Sequence, residues 1–208
     1  IVSKYNATTK TGYLIGYYPV DNKMYLQGAD GATWPSLNIA SAGTYTQTNK
    51  WLHLVGTFDG TTGYLYVDGA QVGSDTSAAL ATNNNNMFIG GNTDGAVGNF
   101  SGLIDEVRIY NRALSAAEAK TLYDQGSAKF TVKAANNTGL VGYWNFDDCD
   151  TCTTARDFSG NSNTGTFQGN AAHTASGKIN RGITLDGTGD YVLVTDSASL
   201  DLTSAITI

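Results

Sequence analysis

The residues best suited to bind a ligand lie in one glycine-containing loop between positions 157 and 163. Oxygen-bearing side chains stand at alternate positions of this loop: Asp157, Ser159, Asn161 and Asn163. A loop of this kind can turn several oxygens toward one point, which is the donor set that a hard cation such as calcium prefers. The alternative is that these side chains only cap the turns of their own loop.

A second carboxylate with unusual neighbours is Asp105, which lies in an otherwise mostly apolar run over residues 102–110. Burying an unpaired carboxylate costs free energy, and a cation shared with the Asp157 loop would offset that cost. The sequence therefore predicts one calcium site with five candidate ligands: Asp157, Asn161, Asn163, Asp105 and Ser159.

Both cysteines fall in the short stretch Cys149-Asp150-Thr151-Cys152. A zinc site needs further ligands, and the two histidines have no suitable spacing. A thioredoxin-like redox pair needs a following helix, for which the next residues are poorly suited. We therefore expect a disulfide between Cys149 and Cys152, formed in an oxidising compartment.

The carboxylates do not form a recognisable catalytic pair. Retaining glycoside hydrolysis needs two carboxylates about 5 Å apart, whereas Asp105 and Glu106 are adjacent in a predicted strand and would point to opposite faces. His53 and His173 have no nucleophile at a recognisable spacing. We expect no enzymatic activity.

Aromatic residues are enriched in the first quarter of the chain. Trp34, Tyr17 and Tyr25 are candidates for a platform on which a sugar ring could stack. Aromatic side chains in strands also serve as core residues or as cross-strand pairs.

Composition indicates an all-β protein. The chain has 208 residues, with 25 glycines and 12 tyrosines against 2 prolines, a balance typical of strands joined by tight turns. Its net charge of -6 argues against binding to nucleic acid or to an anionic membrane surface. No run of about 18 apolar residues is present, so we expect no membrane insertion.

Local patterns predict hairpins and one short helix. An alternating run over residues 51–58 is followed by the turn 59–63 and a second strand at 64–67. Further strands are expected at 87–91 and 102–110. Ser115 and Glu118 form a capping-box pattern, with Gly126 at the expected end of the helix.

Several of these stretches resemble a known family. Residues 51–60 (WLHLVGTFDG), 66–69 (YVDG), 89–91 (IGG) and 102–115 (GLIDEVRIYNRALS) are similar to the C-terminal half of a laminin G-like jellyroll domain of the concanavalin A-like superfamily. Residues 139–146 (GLVGYWNF), 157–165 (DFSGNSNTG) and 185–192 (LDGTGDYV) resemble its N-terminal half. The resemblance implies a jellyroll sandwich of two antiparallel sheets, and a calcium ion bound by the aspartate of the Asp-x-Ser-Gly-Asn loop.

The resemblance divides the chain into residues 1–126, a linker over 127–138, and residues 139–208. In the usual family order the last part comes first, followed by a strand that resembles Ala-Trp-Val-Lys and is missing here. We therefore expect a sheet with one strand absent, which a neighbouring copy completes by strand addition or tandem linkage. The predicted function is an extracellular, non-catalytic adhesive or structural module, a repeating unit of a surface fibre. The alternative is a calcium-dependent, lectin-like module that binds glycans.

Overall fold

A computed structural model describes residues 1–46, 49–76, 80–92, 98–127, 137–148 and 151–208. Within these residues the strands are, in chain order, β1 (Val2–Asn6), β2 (Thr11–Tyr18), β3 (Lys23–Asp30), β4 (Leu37–Ala40), β5 (Leu54–Phe58), β6 (Thr62–Val67), β7 (Ala70–Thr76), β8 (Met87–Ile89), β9 (Ser101–Ile104), β10 (Val107–Tyr110), β11 (Leu140–Trp144), β12 (Thr154–Ala155), β13 (Gly165–Gln168), β14 (Ala172–Thr174), β15 (Gly182–Asp186), β16 (Tyr191–Val194) and β17 (Ile206–Thr207). The helix α1 spans Ala116–Ser127, and a short 3-10 helix spans Ala198–Leu200.

The strands form two large antiparallel sheets and a small third one. Sheet A has the order β12-β13-β16-β8-β1-β2-β3-β4, and sheet B has the order β11-β10-β17-β5-β6-β7. The third sheet contains β14, β15 and β9. The predicted jellyroll sandwich of two antiparallel sheets with one helix is confirmed, and the small sheet is an addition to it.

Both segments of the chain contribute strands to both large sheets. In sheet A, β16 pairs with β8 through Val192 and Ile89. In sheet B, β17 lies between β10 and β5. Residues before the predicted linker and residues after it therefore interleave in the same sandwich. Their order relative to other family members stays a prediction.

The predicted hairpin over residues 51–67 is present as β5 and β6, which pair from Leu54↔Val67 to Phe58↔Gly63. The next turn, Asp68-Gly69, joins β6 to β7 with positive φ angles of 50° and 76°. Positive φ at both central positions matches the right-handed twist of two paired strands. Asp-Gly is therefore the dipeptide expected at this point.

The run over residues 102–110 is not the single strand that the sequence predicts. Glu106 has a positive φ of 57°, and the chain breaks there into β9 and β10. The two strands enter different sheets, β9 the small sheet and β10 sheet B. The break places Asp105 and Glu106 in a connection rather than on opposite faces of one strand.

The capping box of α1 is confirmed. The Ser115 amide donates to Glu118 Oε2 at 2.9 Å, and the Glu118 amide donates to Ser115 Oγ at 3.3 Å. Within the described residues the helix continues past Gly126, its predicted end, to Ser127. Ala119 packs on Val55 and Tyr66, in a cluster separate from the main core, so α1 covers the outer face of sheet B. No helix in the described ranges is long and apolar enough to span a membrane.

A buried lysine connects distant parts of the sandwich. Lys4 is only 1% exposed, and its ammonium group donates to the backbone oxygens of Asn83 and Asn85 at 2.9 and 2.7 Å. The same group forms ion pairs with Asp196 at 2.5 Å and with Asp201 at 3.1 Å. Because a buried charge is tolerated only when it is paired, this network holds β1 to the segment that follows β16.

Candidate functional site

Asp157, the first candidate metal ligand, is 8% exposed and is surrounded by donors from its own chain. Its Oδ1 accepts hydrogen bonds from the amides of Tyr143 at 3.0 Å and Ser159 at 2.8 Å. Its Oδ2 accepts from Ser159 Oγ at 2.8 Å and from the Asn163 amide at 2.9 Å. Each carboxylate oxygen thus has two donors, so Asp157 fixes the loop against β11.

The other polar residues of the loop are anchored in the same way. Asn163 is 4% exposed, and its side-chain amide donates to the Val141 oxygen at 2.9 Å and to Ser199 Oγ at 2.8 Å. Its Oδ1 accepts from Ser197 Oγ at 2.6 Å. Asn161 is exposed and donates to Ser159 Oγ at 3.1 Å. These contacts join the loop to β11 and to the residues of the 3-10 helix.

The donor set does not fit a calcium ion at Asp157. A cation there would displace protein donors that already satisfy both carboxylate oxygens. In the part of the chain that the structure describes, no group of three or more His, Cys, Asp or Glu residues is placed to hold a metal ion. The observed contacts match the alternative interpretation, in which the loop side chains satisfy their own turns. The calcium site stays a prediction.

Asp105 has a different hydrogen-bond partner from those of Asp157. Its Oδ2 accepts the Ile179 amide at 2.8 Å, and Ile179 is not a partner of Asp157. Its Oδ1 is buried without a hydrogen-bond partner among the described residues. Burial raises the pKa of Asp105 to about 7, although the Ile179 amide acts in the opposite direction. The predicted bridge from Asp105 to the loop is not among the described contacts.

The three aromatic residues of the predicted sugar platform are not assembled on one surface. Tyr17 packs against the main core, and its hydroxyl donates to Asn22 Oδ1 at 2.5 Å. Tyr25 lies opposite Gly16, the neighbour of Tyr17, and therefore projects from the other face of sheet A. Trp34 stacks on Tyr5 with ring centroids 3.7 Å apart.

The structure instead presents a groove of about 470 Å³ over the outer face of sheet B. It lies between strands β5 to β7 and the start of α1, and is lined by Thr57, Asp59, Tyr64, Tyr66, Gln71, Ala113, Leu114, Ser115, Ala116 and Glu118. The rings of Tyr64 and Tyr66 are 6.4 Å apart at an angle of 39°. Tyr66 is 4% exposed and forms the base, whereas Tyr64 is half-buried and accessible.

Both carboxylates of the groove are held in the ionised form. Hydrogen bonding to Arg112, assisted by the Ser115 amide, lowers the pKa of Glu118 to about 2. The backbone amides of Thr62 and Thr61 lower the pKa of Asp59. A general acid needs a pKa near the working pH, and neither carboxylate meets that condition.

This groove is not predicted from the sequence. The sequence feature that indicates it is the alternation Tyr64-x-Tyr66 in a predicted strand, because residues two positions apart lie on the same face of a strand. The opposite wall, residues 113–118, is brought to that face by the fold.

Cys149 lies outside the described residues, so the predicted disulfide with Cys152 stays a prediction.

Comparison with protein families supports the same fold. Residues 1–120 match the family Laminin_G_3, of the concanavalin A-like lectin/glucanases superfamily. The match covers more than half of the 208 residues, and the chain belongs to this family. Comparisons with curated proteins and with solved structures gave no match. Membership indicates, in general terms, a carbohydrate-binding or adhesive module.

Proposed function

We propose that this chain is an extracellular, non-catalytic adhesive module that binds a carbohydrate in the groove over sheet B. The observation that carries the proposal is an accessible tyrosine, Tyr64, set in a groove that also contains ionised and amide side chains. The groove volume falls within the range of about 300–1,000 Å³ typical of small-ligand sites. Laminin G-like domains are typically extracellular and generally non-catalytic, which agrees with this proposal.

The groove has the chemistry that a pyranose ring requires. The apolar face of the sugar would stack on the ring of Tyr64, and its hydroxyl groups would donate to Asp59 or bond to the amide of Gln71 and the hydroxyl of Thr57. Glu118 is engaged by Arg112 at 2.7 Å and by Ser115, so it shapes the wall. Ionised carboxylates accept hydrogen bonds without donating a proton, which favours binding over hydrolysis.

A glycan array followed by calorimetry on the best glycan tests this function. Replacing Tyr64 by alanine should weaken binding at least tenfold because the stacking surface is lost. Tyr18, which is 56% exposed and is not among the groove residues, offers the matched control: Tyr18→Ala should bind as the parent does. Equal loss in both variants, or an array with no signal, would refute the groove assignment. Repeating the titration in chelator distinguishes the calcium-dependent alternative.

A second proposed function is assembly with neighbouring copies, as a repeating unit of an extracellular array. It carries forward the prediction from the sequence that neighbouring copies associate by strand addition or tandem linkage. Light scattering over a concentration series tests it: growth of oligomers with concentration supports assembly, and a constant monomer mass contradicts it.

A further inference from the structure

The buried ammonium group of Lys4 is held directly against the carboxyl group of Asp196. Lys4 Nζ lies 2.5 Å from Asp196 Oδ1. The same Nζ donates to the backbone oxygens of Asn83 and Asn85 at 2.9 and 2.7 Å. Because these contacts hold the nitrogen from several sides, it faces the carboxyl group from one fixed position.

A second carboxyl group, that of Asp201, completes the cluster. Its Oδ1 lies 3.1 Å from Lys4 Nζ, and besides that ion pair this buried oxygen has no hydrogen-bond partner among the described residues. Tyr13 is 2% exposed and lies opposite Lys4 in the pairing of β1 with β2. Burial and the charges of Asp201 and Asp196 raise the pKa of the Tyr13 hydroxyl. The cluster therefore contains one ammonium group and two carboxylates beside a buried aromatic ring.

This arrangement favours a reaction between the paired groups. The desolvation of a buried ion pair can exceed the attraction between its partners, and neutral groups of similar volume are often at least as stable. Condensation to an amide removes both charges of the pair and keeps the two residues joined. Groups held in such a position react as if their effective concentration were about 10⁵–10⁸ M. Proximity thus supplies what a condensation in free solution lacks.

We propose that Lys4 and Asp196 condense to form an isopeptide bond within the chain, with Asp201 as the proton carrier. Asp201 takes one proton from the ammonium group, and the electron pair left on Lys4 Nζ attacks the Cγ atom of Asp196. The Nζ–Cγ bond forms and one Cγ–O bond breaks. The departing oxygen leaves as water with two protons of the former ammonium group, one of them returned by Asp201. An ammonium group and a carboxylate thus give an amide and one water molecule, and no other reactant is required.

The bond would join two segments that are 192 positions apart in the chain. Lys4 lies in β1, and Asp196 follows the end of β16 by two residues. Both strands are neighbours of β8 in sheet A. A covalent link at this point keeps the two segments together when the chain is heated or pulled, because it limits the extension of the unfolded chain. The link goes beyond the proposed adhesive function and does not depend on the groove over sheet B.

Mass spectrometry of the whole chain, stored folded and then reduced and unfolded, tests the proposal. We expect the parent to weigh one water molecule less than its sequence requires. Lys4→Arg keeps the positive charge but lacks the amine, so it should have its full mass. Lys120→Arg is the matched control at a lysine whose side chain is 60% exposed, and it should lose the water as the parent does.

Peptide mapping and a second variant locate the bond and its proton carrier. Protease digestion of the parent should give two peptides joined through Lys4 and Asp196. In Asp201→Asn the link should form roughly a hundredfold more slowly or less, since a positioned proton carrier contributes about 10²–10⁴ in rate. The fraction of linked chains is followed over time after cell-free synthesis, with the parent as reference.

Each contrary outcome is specific. A parent of full mass would overturn the proposal, and so would a water loss that persists in Lys4→Arg, as dehydration of an aspartate alone would give. A link from Lys4 to Asp201, or an unchanged rate in Asp201→Asn, would overturn the assignment of the two carboxyl groups. Should either variant fail to fold, the mass and the joined peptides of the parent chain still decide whether the bond exists.

Discussion

Replacing Asp157 by asparagine distinguishes a carboxylate that organises the loop from one that binds calcium. Asparagine keeps the shape of the side chain but exchanges one acceptor oxygen for a donor amide. Whichever oxygen is replaced, two of the four protein donors lose their acceptor. They are the amides of Tyr143 and Ser159 at Oδ1, or the Asn163 amide and Ser159 Oγ at Oδ2. Asp157 is 8% exposed, so water cannot readily replace the lost bonds.

The expected loss can be worked from these contacts. A hydrogen bond to a charged group contributes about 1.5–3 kcal/mol, and two coupled losses in one loop should together cost about 3–4 kcal/mol, since such effects are not additive. For a chain of this length each kcal/mol corresponds to roughly 2–4 °C in Tm. Asp157→Asn should therefore lower the Tm by roughly 6–16 °C.

Thermal unfolding in chelator and in millimolar calcium provides the assay. We expect the parent to melt at the same temperature in both buffers, and Asp157→Asn to be destabilised equally in both. Asp186→Asn is the matched control, because Asp186 is exposed and accepts the Thr188 amide in its own turn. The reasoning is refuted if calcium raises the Tm of the parent and the substitution abolishes that increase, as the calcium site predicted from the sequence requires.

Three further predictions concern other parts of the fold. Lys4→Met should destabilise the chain by about 3–5 kcal/mol in urea unfolding, because Asp196 and Asp201 lose their buried cation; an equally small effect of Lys4→Met and of the exposed Lys120→Met would contradict this. Burial raises the pKa of Asp105 from 3.8 to about 7 in the folded state, so ionisation of this carboxyl group destabilises the fold. Asp105→Asn should therefore raise the free energy of unfolding by on the order of 1–2 kcal/mol above pH 7, after allowance for partial exposure, and leave it unchanged below about pH 4. A pH-independent effect in chemical denaturation would count against that assignment. The predicted disulfide closes a loop far shorter than the loops for which a disulfide contributes about 3 kcal/mol of stability. Its reduction should therefore leave the circular dichroism spectrum unchanged. Two free thiols found in unreduced protein would show that the bond is absent.

Local sequence signals were sufficient where a single segment determines its own structure. The hairpin of β5 and β6 follows from alternation and a turn, and the start of α1 follows from the pairing of Ser115 with Glu118. Both depend on residues fewer than about fifteen positions apart, for which steric and capping preferences decide the conformation. The family resemblance was confirmed over residues 1–120 for the same reason, since its motifs are local.

The break at Glu106 shows where local reasoning failed. The apolar pattern of residues 102–110 is that of one strand, but the two halves satisfy different sheets, and the positive φ of Glu106 makes that possible. The tyrosines of the first quarter were separated in a similar way. Tyr17 in β2 packs against the core, whereas Tyr25 in β3 pairs with Gly16, the neighbour of Tyr17, and therefore projects from the opposite face of sheet A.

The sequence by itself determined the class of fold, the hairpins, the helix cap and an oxygen-rich loop, because each is encoded by period, turn chemistry or composition within one segment. Only the tertiary structure decided what those oxygens do. The hydrogen-bond partners of Asp157 and Asn163 come partly from β11 and from the 3-10 helix: the Tyr143 amide donates to Asp157, and the Asn163 side chain donates to Ser199, 36 positions away. The groove of Tyr64 arises in the same manner, from residues of β5 to β7 and of the start of α1 that meet on the outer face of sheet B. Contacts between distant segments are fixed by packing and strand register, and no local pattern carries that information.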